Sequence, residues 1–224
     1  KIVIGGAFTT LQPLGYAAAV GRSRVARINA DLTVDLGFDP HPNNFVLALA
    51  VPPDGKVLLG GSFTNLQANG AAAVTRNRVA RVHPDGSLDM TFCPDANNSV
   101  SCLLVQSDGH VLMSGGFSTL NPNGSGVVYR GRVARFQSDG SLDLSFDPMA
   151  NNYVNSMALQ ADGKIVLGGL FTNLQPNGAA SATTRNRIAR VLPTGALDPG
   201  FDPSADNNVY AIAIQSNGRV LVGG

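Results

Sequence analysis

The chain has 224 residues, and its 16 Lys and Arg residues are nearly balanced by 15 acidic residues, every one of them Asp. The net charge of +1 excludes the strongly basic surface that nucleic acid or an anionic membrane would require, and no apolar run is long enough to predict membrane insertion. The absence of Glu, together with 26 Gly and 13 Pro, disfavours helices and favours short strands joined by turns.

A short apolar phrase that ends in two glycines occurs five times along the chain. It reads Ile-Val-Ile-Gly-Gly at residues 2–6, and we interpret Ser114 in the third copy as an insertion. The later copies lie at residues 57–61, 111–116, 165–169 and 220–224. Such self-similarity predicts a single repeat domain, residues 1–224, of supersecondary units packed against one another. The units are about residues 1–55, 56–110, 111–163 and 164–218, with a terminal repeated strand at residues 219–224.

Three further landmarks follow in fixed order in every unit. The first is an Arg-x-Arg-[Val/Ile]-Ala-Arg phrase at residues 22–27, 76–81, 130–135 and 185–190. The second is a phrase with Asp three residues before Phe, which ends at Phe38, Phe92, Phe146 and Phe201. The third is a pair of Asn at residues 43–44, 97–98, 151–152 and 207–208.

Each unit is predicted to contain four strands. The first is a nearly continuous apolar run such as residues 45–51, which is typical of a strand buried on both faces. An Asp-Gly pair such as Asp54-Gly55 follows and predicts a type I′ hairpin turn into the glycine phrase, the second strand. The Arg phrase is the third strand. In the Phe phrase Leu142, Leu144 and Phe146 alternate with polar residues, which predicts a half-exposed outer strand.

A buried inner strand and an amphipathic outer strand in a four-stranded unit predict an all-β fold, namely a β-propeller of four-stranded blades. An open β-solenoid-like array is the alternative. The second strand occurs five times against four full units, one copy more than a closed four-bladed ring needs. A larger ring, a strand exchanged with a neighbouring subunit, or truncation of a longer array would each explain the surplus.

The string Asp-Gly-Lys-Ile-Val-Leu-Gly-Gly-Leu-Phe-Thr-Asn at residues 162–173 resembles the delta-60 tandem repeat of bacterial secreted and surface proteins. The phrases at residues 185–190 and 139–143 strengthen the resemblance, which covers essentially the whole chain. It implies a β-propeller in an extracellular or cell-surface setting, and it transfers no catalytic residues.

The Arg phrases have two interpretations. They could form a ring of basic side chains that binds an anionic polymer, but Asp residues recur in phase with them and favour structural ion pairs. Strand alternation places the first two Arg of each phrase on one face. The predicted pairs therefore join Arg22, Arg24, Arg76, Arg78, Arg130, Arg132, Arg185 and Arg187 to Asp35, Asp89, Asp143 and Asp198.

Catalytic and metal-binding patterns are missing from the sequence. The Asp-Gly pairs suit hairpin turns better than calcium loops, and His41, His83 and His110 fall at different phases of the repeat. No nucleophile motif occurs, so we expect neither an enzyme nor a metal or other cofactor. Cys93 and Cys102 replace an Asp and a small residue of the other units, so either a disulfide or two buried free thiols would fit.

The loop between the second and third strands and the connection with the Asn pair should emerge on one face of the propeller. The loops are small and apolar, which favours protein partners, including copies of the chain itself in a surface layer or filament. They could equally fold down and cap the blades. The predicted partner or ligand face consists of Tyr16, Asn43, Asn69, Asn97, Asn123, Tyr129, Asn151, Tyr153, Asn177 and Asn207.

The sequence therefore predicts a non-enzymatic extracellular repeat scaffold that makes protein–protein contacts. The alternative is a propeller that binds a carbohydrate or another small ligand in its central mouth, through Asn side chains such as Asn43 and Asn97. Glycan sites usually contain aromatic platforms, and only Phe45 and Tyr153 are available there, so this alternative ranks second.

Overall fold

The structure is a computed structural model that describes residues 1–13 and 15–224. Within these residues the regular elements are short strands and three single 3-10 turns, and no helix is long and apolar enough to cross a membrane. In chain order the strands are β1 Ile2–Gly5, β2 Thr10–Leu11, β3 Val20–Gly21, β4 Val25–Ile28, β5 Val46–Ala50, β6 Val57–Gly61, β7 Asn65–Leu66, β8 Val74–Thr75, β9 Val79–Val82, β10 Val100–Val105, β11 Val111–Gly115, β12 Thr119–Leu120, β13 Val128–Tyr129, β14 Val133–Phe136, β15 Val154–Leu159, β16 Ile165–Gly169, β17 Asn173–Leu174, β18 Thr183–Thr184, β19 Ile188–Val191, β20 Ala211–Ile214 and β21 Val220–Gly223. The 3-10 turns are Ala68–Gly70, Pro122–Gly124 and Pro176–Gly178.

The principal sheets are antiparallel and follow one another along the chain. Three have three strands, in the orders β5-β6-β9, β10-β11-β14 and β15-β16-β19, and the two-stranded sheets β1-β4 and β20-β21 flank them. The inner strands β5, β10, β15 and β20 lie side by side, so the sheets radiate from a common line. This is the blade arrangement of a β-propeller. Each blade takes its inner strand from the end of one sequence unit and its other strands from the next.

The hydrophobic core lies between neighbouring blades. The second strands β6, β11 and β16 are buried at every residue, because each is flanked in its own sheet and covered by a blade on both faces. One cluster contains Leu58 and Val79 of the blade β5-β6-β9 together with Phe92 and Phe117, which lie at the junction with the next blade. The inner strands are less buried than the sequence indicates, since Leu47 of β5 is 52% exposed.

The predicted fourth strand is reduced to one bridge in each repeat. Leu88 pairs with Val82, and Leu142 pairs with Phe136, but the pairing stops there. The next residue, Asp89, accepts a hydrogen bond from the backbone N–H of Thr91 at 3.0 Å and so turns the chain. The predicted alternation is therefore wrong at Leu144, which is 71% exposed.

The hairpin turns between the first and second strands are not the predicted type I′ turns. Only the glycine of each Asp-Gly pair has a positive φ, 77° at Gly55, whereas a type I′ turn needs two such residues. The N–H of Gly55 donates to the carbonyl oxygen of Pro52, and the side chain of Asp54 accepts the N–H of Lys56. The connection is therefore longer than a two-residue turn and ends with a glycine of positive φ, which is the next most common type of hairpin connection.

Strand register corrects the reading of the third glycine phrase. Ser114 pairs with Val133 as Gly60 pairs with Val79, so Ser114 replaces the first glycine and is not an insertion. The second glycine is then Gly115, and it is required: a Cβ at Gly115 would lie 2.1 Å from the carbonyl oxygen of Ser99. The pairing between the inner and second strands shifts register by one residue next to this point in each three-stranded blade.

Candidate binding surface

The surface that the sequence predicts as functional is built from two parts of each repeat. In each of the first four repeats, a small two-stranded hairpin follows the strand that carries the glycine phrase. These hairpins are β2-β3, β7-β8, β12-β13 and β17-β18. The blade connection with the Asn pair runs beside the next hairpin, where bridges such as Pro42 to Leu66 and Ala96 to Leu120 hold the two parts together. We call the exposed side of these hairpins and connections the loop face.

Three of the predicted Asn ligands are internal clamps. The Oδ1 atom of Asn43 accepts the backbone N–H groups of Thr64 at 2.8 Å and Asn65 at 3.2 Å, and its Nδ2 donates to the Thr64 hydroxyl. Asn97 and Asn151 make the same contacts with their own hairpins. Their side-chain hydrogen bonds are therefore used within the fold to fix each connection to the next hairpin.

Asn207 does not belong with these clamps. Its Oδ1 accepts the N–H of the next residue, Asn208, as the Oδ1 of Asn44 accepts the N–H of Phe45. Counted from the Pro at the start of each connection, Asn207 corresponds to the second Asn of the other pairs, and Asp206 occupies the position of Asn43. The prediction that Asn207 is equivalent to Asn43 is wrong by one residue.

Asn69, Asn123 and Asn177 also serve the fold. All three have a left-handed backbone, with φ of 50°, 51° and 53°, a conformation that Asn tolerates better than most residues. Each Oδ1 accepts, at 3.0 Å, a backbone N–H of the preceding connection, from Asp39, Cys93 and Asp147 respectively. These hydrogen bonds fix the hairpin of one repeat to the end of the previous repeat. Leu14, at the corresponding place in the first repeat, lies outside the described residues.

The predicted tyrosines differ in how much of the ring they expose. Tyr129 is 54% exposed, whereas Tyr16 is half-buried. The Tyr153 hydroxyl accepts a hydrogen bond from Asn98 at 3.2 Å, and the Arg132 guanidinium lies 5.9 Å from the centre of its ring. Tyr153 is 36% exposed, so Tyr129 is the most exposed of the three.

The third Arg of each phrase carries the ion pair that the sequence assigns to the first two. Its Nε lies 2.7 to 2.8 Å from Oδ2 of the Asp eight residues later. These pairs are Arg27–Asp35, Arg81–Asp89, Arg135–Asp143 and Arg190–Asp198. The guanidinium also lies over the Phe ring of the same phrase, at 4.3 to 4.6 Å from its centre. The assignment of Asp35, Asp89, Asp143 and Asp198 to the first two Arg is wrong.

The second Arg explains why strand alternation misleads. Its backbone is left-handed in every repeat, with φ between 63° and 68°, so the phrase does not continue as a strand through that residue. Its Nη1 donates to a backbone carbonyl oxygen across the hairpin. The donors and acceptors are Arg24 to Phe8, Arg78 to Ser62, Arg132 to Gly116 and Arg187 to Leu170.

The first Arg of each phrase is buried beside the connection. Arg22, Arg130 and Arg185 lie 3.7, 3.7 and 3.3 Å from carboxylate oxygens of Asp39, Asp147 and Asp202. Thus they do form ion pairs, but with other Asp residues than the sequence suggests. The corresponding carboxylate is missing in the second repeat, where Cys93 occupies the Asp position.

The carboxylates of the third-Arg pairs are held ionised. A hydrogen bond from Lys1, followed in importance by one from Arg27, lowers the pKa of Asp35 to about 2 against the opposing effect of burial. Burial also opposes ionisation of Asp89, but hydrogen bonds from Thr91, Lys56 and Arg81 bring its pKa below the ordinary value. Paired groups of this kind suit structural cross-links.

The two cysteines are free thiols. The Cys102 sulfur on β10 lies 3.9 Å from the carbonyl oxygen of Met157 on the neighbouring inner strand. Cys93 lies in the connection beside Arg76, and burial raises the pKa of both thiols. Of the two possibilities that the sequence leaves open, the structure has free thiols and no disulfide.

Exposed apolar side chains recur at one place in successive repeats. Leu36, Met90 and Leu144 are 67%, 62% and 71% exposed, and each directly follows the Asp that pairs with the third Arg. We call these three residues the apolar rim. The alternation of apolar and polar residues predicts Leu144 on the inward face of an outer strand, so these residues do not stand out in the sequence. The signal for their exposure is an Asp followed two residues later by Thr, Ser or Gly, a pattern typical of a turn.

An apolar groove lies beside the rim in two successive repeats. One, of about 270 Å³, is lined by Ala68, Val74 and Leu88 among others. The next, of about 370 Å³, has Pro122, Val128 and Leu142 at the corresponding places, and Leu144 of the rim also lines it. The hairpin loops form the other wall. Ala71, Ala72 and Ala73 are exposed, and Val127 is 73% exposed. Hydrogen bonds of Asn69, Asn123 and Asn177 fix the start of these loops to the preceding connection, whereas the tips of the loops are exposed to solvent.

A polar cleft of about 390 Å³ lies on the loop face between the second Arg phrase, the connection that follows it and the hairpin β12-β13, with Asn77, Asp95 and Asn121 in its wall. Asn77 donates to one Asp95 carboxylate oxygen at 2.6 Å, and Asn121 approaches the other at 3.4 Å. His41, Met149 and Ser204 occupy the place of Asp95 in the other repeats. The acidic group is therefore specific to this cleft.

The chain matches the family described as "Domain of unknown function (DUF5122) beta-propeller" at residues 1–38, 53–92, 106–146 and 160–201, well over half of its length. It belongs to the DUF5122 β-propeller family. The four matches follow the four repeats, and they support the propeller interpretation without confirming the delta-60 name. A search among functionally curated proteins finds no significant match to this DUF5122 chain.

Solved structures share the fold at low sequence identity. The WD40 β-propeller domain of Doa1 has a TM-score of 0.54 and 16% identity over 81% of this chain and 48% of its own. A protein of unknown function from Bacteroides caccae has a TM-score of 0.55 and 12% identity over 98% and 63%. The extracellular domain of a protein from B. thetaiotaomicron has a TM-score of 0.51 and 16% identity over 92% and 24%. The DUF5122 chain spans about half the Doa1 structure, and less than two thirds of the other two.

Proposed function

We propose that this DUF5122 propeller is a non-enzymatic extracellular scaffold that contacts protein partners, including further copies of itself, through the apolar rim and the adjacent grooves. The observation that carries the proposal is the recurrence of Leu36, Met90 and Leu144, each more than 60% exposed, at one place per repeat. Exposed apolar patches often mark interaction sites in soluble proteins, and a regular recurrence of exposed apolar side chains offers a partner evenly spaced contacts. The extracellular domain among the similar structures supports the location.

The chemistry of the surface favours a protein over a charged ligand. The nearby Asp side chains are bonded to the third Arg residues, and the first Arg residues are buried at 6 to 8% exposure, so little free charge remains beside the rim. Burying one large apolar side chain contributes about 1.5 to 3 kcal/mol. Three in a row, spaced by one blade, therefore suit a partner that offers apolar contacts at the same spacing, such as another repeat surface.

The test compares the wild-type chain with a variant that carries Leu36→Ser, Met90→Ser and Leu144→Ser together. We expect the wild type to form regular assemblies in electron microscopy and large species in light scattering, and the triple variant to remain monomeric. Leu32→Ser is the matched control, because Leu32 is also 68% exposed but does not belong to the rim. A wild-type chain that stays monomeric at millimolar concentration would contradict self-assembly.

The polar cleft supports binding of a neutral sugar as a second candidate function. Carboxylate and amide groups such as Asp95, Asn77 and Asn121 can bond paired hydroxyl groups. Titration with a glycan panel, followed by NMR, should shift the amide signals of these residues, and Asp95→Ala should abolish the shifts. Ser204→Ala, the corresponding place in the last repeat, should leave them unchanged. The absence of any shift at millimolar glycan would eliminate this candidate.

A further inference from the structure

We propose that Cys93 is an oxidation site, at which peroxide converts the thiol to a sulfinate that pairs with the buried guanidinium of Arg76. The proposal concerns one junction between repeats and is independent of the apolar rim. At the position in question, three repeats carry an Asp, namely Asp39, Asp147 and Asp202, whereas the second repeat carries Cys93.

The backbone of Cys93 is held as that of its Asp counterparts. The N–H of Cys93 donates to Oδ1 of Asn123 at 3.0 Å, and the carbonyl oxygen of Cys93 accepts the N–H of Asn123 at 2.8 Å. Asp39 with Asn69, and Asp147 with Asn177, make the same two bonds at 3.0 and 2.7 Å. The Cβ atoms therefore start from corresponding places, and only the side-chain ends differ.

Arg76 is a buried cation that lacks the anion its counterparts have. It is 6% exposed; its Nη1 donates to the carbonyl oxygen of Thr75 at 2.9 Å, and its Nη2 lies 3.3 Å from the Met90 sulfur. Its Nε has no hydrogen-bond partner among the described residues, and the same holds for Arg22, Arg130 and Arg185, so the difference lies in the carboxylate alone. Within residues 1–13 and 15–224, no carboxylate oxygen lies within 4.0 Å of the Arg76 guanidinium, whereas Arg22, Arg130 and Arg185 each have such a neighbour. An anion beside Arg76 would pair with a cation that is already buried. At the counterpart Asp147, burial raises the pKa of the carboxyl group and the charge of Arg130 opposes that rise.

A cysteine sulfinate has the shape and charge that this place requires. It carries two oxygens and one negative charge on the atom that follows Cβ, as the aspartate carboxylate does, although its bonds are longer and its sulfur is pyramidal. Guanidinium groups bind such paired oxygens with charge-assisted hydrogen bonds. Oxidation of Cys93 would therefore restore the ion pair found in the other three repeats.

The reaction consumes two molecules of hydrogen peroxide. In the first step the thiolate sulfur attacks a peroxide oxygen, the O–O bond breaks, and hydroxide leaves to give the sulfenic acid. In the second step the sulfenate sulfur attacks another peroxide and forms the sulfinate. Each step oxidises sulfur by two electrons and reduces one peroxide to water; the net change is a thiol plus two peroxides giving a sulfinate, a proton and two waters.

The surroundings favour this end point over a disulfide. Cys93 is half-buried and partly accessible, while the Cys102 thiol lies against the Met157 carbonyl oxygen and is the only other cysteine of the chain. Burial raises the pKa of Cys93; the charge of Arg76 opposes that rise, and the Asp95 carboxylate adds to it. Because the thiolate is the reacting form, the oxidation rate should increase about tenfold per pH unit below that pKa.

The experiment uses the Met90→Leu background, because Met90 is exposed, contacts Arg76 and would itself oxidise; Leu is the residue at the corresponding rim positions. After treatment with hydrogen peroxide, peptide mass spectrometry should find two added oxygens on Cys93 and an unmodified Cys102. The melting temperature should rise by about 5 °C. Oxidation confined to Cys102, or a fall in melting temperature when Cys93 is sulfinylated, would overturn the proposal.

A charge test without oxidant separates the ion pair from general effects of peroxide. Cys93→Asp should melt about 5 °C above Cys93→Asn, and this difference should vanish when Arg76→Gln is added to both. Cys93→Asp should gain nothing further from peroxide. Equal melting temperatures for the Asp and Asn variants in the presence of Arg76 would show that the site does not stabilise an anion.

Discussion

At the scale of single residues, the third Arg of each phrase makes several contacts at once. Arg81 pairs with Asp89, lies over the Phe92 ring, and donates through Nη1 to the carbonyl oxygen of Ser138 in the next repeat at 2.9 Å. Arg27 and Arg135 reach the carbonyl oxygens of Pro84 and Pro193 in the same way. One side chain therefore joins a strand, its outer segment and the neighbouring blade.

Asp89→Asn should destabilise the protein strongly, because it leaves a buried guanidinium without its counter-ion. The side chains of Asp89 and Arg81 are 3% and 7% exposed, and breaking such a pair from one side costs about 3 kcal/mol. The unfolding midpoint in urea would measure the loss. Asp54→Asn, in an exposed turn, should change the free energy of unfolding by less than about 0.5 kcal/mol. Equal midpoints for the two variants would contradict a structural role for the pair.

The same pairs predict how stability depends on pH. The pKa of Asp35 is about 2 in the folded chain, and those of Asp89, Asp143 and Asp198 are also lowered, whereas an unfolded Asp titrates near pH 4. Between those values the unfolded chain binds more protons, so this stabilisation is complete above about pH 4 and is lost as the pH falls toward 2. Melting temperatures measured from pH 7 to pH 2 should fall in that window. A fall centred near pH 6 would implicate other groups.

The sequence could count these Arg and Asp residues and show that they recur in phase, but it could not pair them. The assignment depended on strand alternation through the Arg phrase, and the left-handed backbone of the second Arg, with φ of 68° at Arg78, breaks that alternation. The Asn residues show the same limit. An exposed polar residue on a loop resembles a ligand until its hydrogen bonds are known, and Asn43 and Asn69 use theirs within the fold.

At the scale of elements, the glycine phrase has a different reason for each of its two glycines. The first packs against side chains, since a Cβ at Gly60 would meet Val100 at 2.9 Å, and Ser114 shows that another blade accommodates a side chain at this place. The second faces backbone, since a Cβ at Gly61 would lie 2.1 Å from the carbonyl oxygen of Phe45. A side chain can adjust to a new neighbour more easily than a paired strand can.

Gly61→Ala should therefore be much more harmful than Gly60→Ser. We expect a cost of about 3 kcal/mol or more for Gly61→Ala, because the inner strand must move away from β6, and about 1 kcal/mol for Gly60→Ser. Chemical denaturation of the two variants would measure both values. If Gly60→Ser proved the more harmful, the register that places Ser114 opposite Val133 would be in doubt.

The identity and order of the inner, second and third strands follow from the sequence, because apolar runs and turn residues are strong local signals. The fourth strand does not. Over five residues, alternation of apolar and polar side chains cannot distinguish a strand from a chain that an Asp side chain turns. Asp143 accepts the N–H of Ser145 at 2.9 Å, and this single contact exposes Leu144 instead of burying it.

At the scale of the whole molecule, the repeat was sufficient to predict the radial arrangement, because a blade with two apolar faces must be covered by a neighbour on each side. The clusters of the core show the result. Leu58 and Val79 of the blade β5-β6-β9 pack with Phe117, which follows β11, and Leu112 and Val133 of the next blade pack with Phe171. Each blade is thus stable only together with its neighbours.

Two corresponding variants test this dependence. Phe117→Ala and Phe171→Ala each remove a fully buried ring from one junction, and each should cost about 3 to 5 kcal/mol. In hydrogen exchange, Phe117→Ala should accelerate the amides of β6 and β11 most, whereas Phe171→Ala should accelerate those of β11 and β16 most. The region of faster exchange should therefore lie one blade further along the chain in Phe171→Ala than in Phe117→Ala, because each ring packs in the junction that its own cluster spans. Uniform acceleration of all strands by both variants would instead mean that the repeats unfold as one cooperative unit.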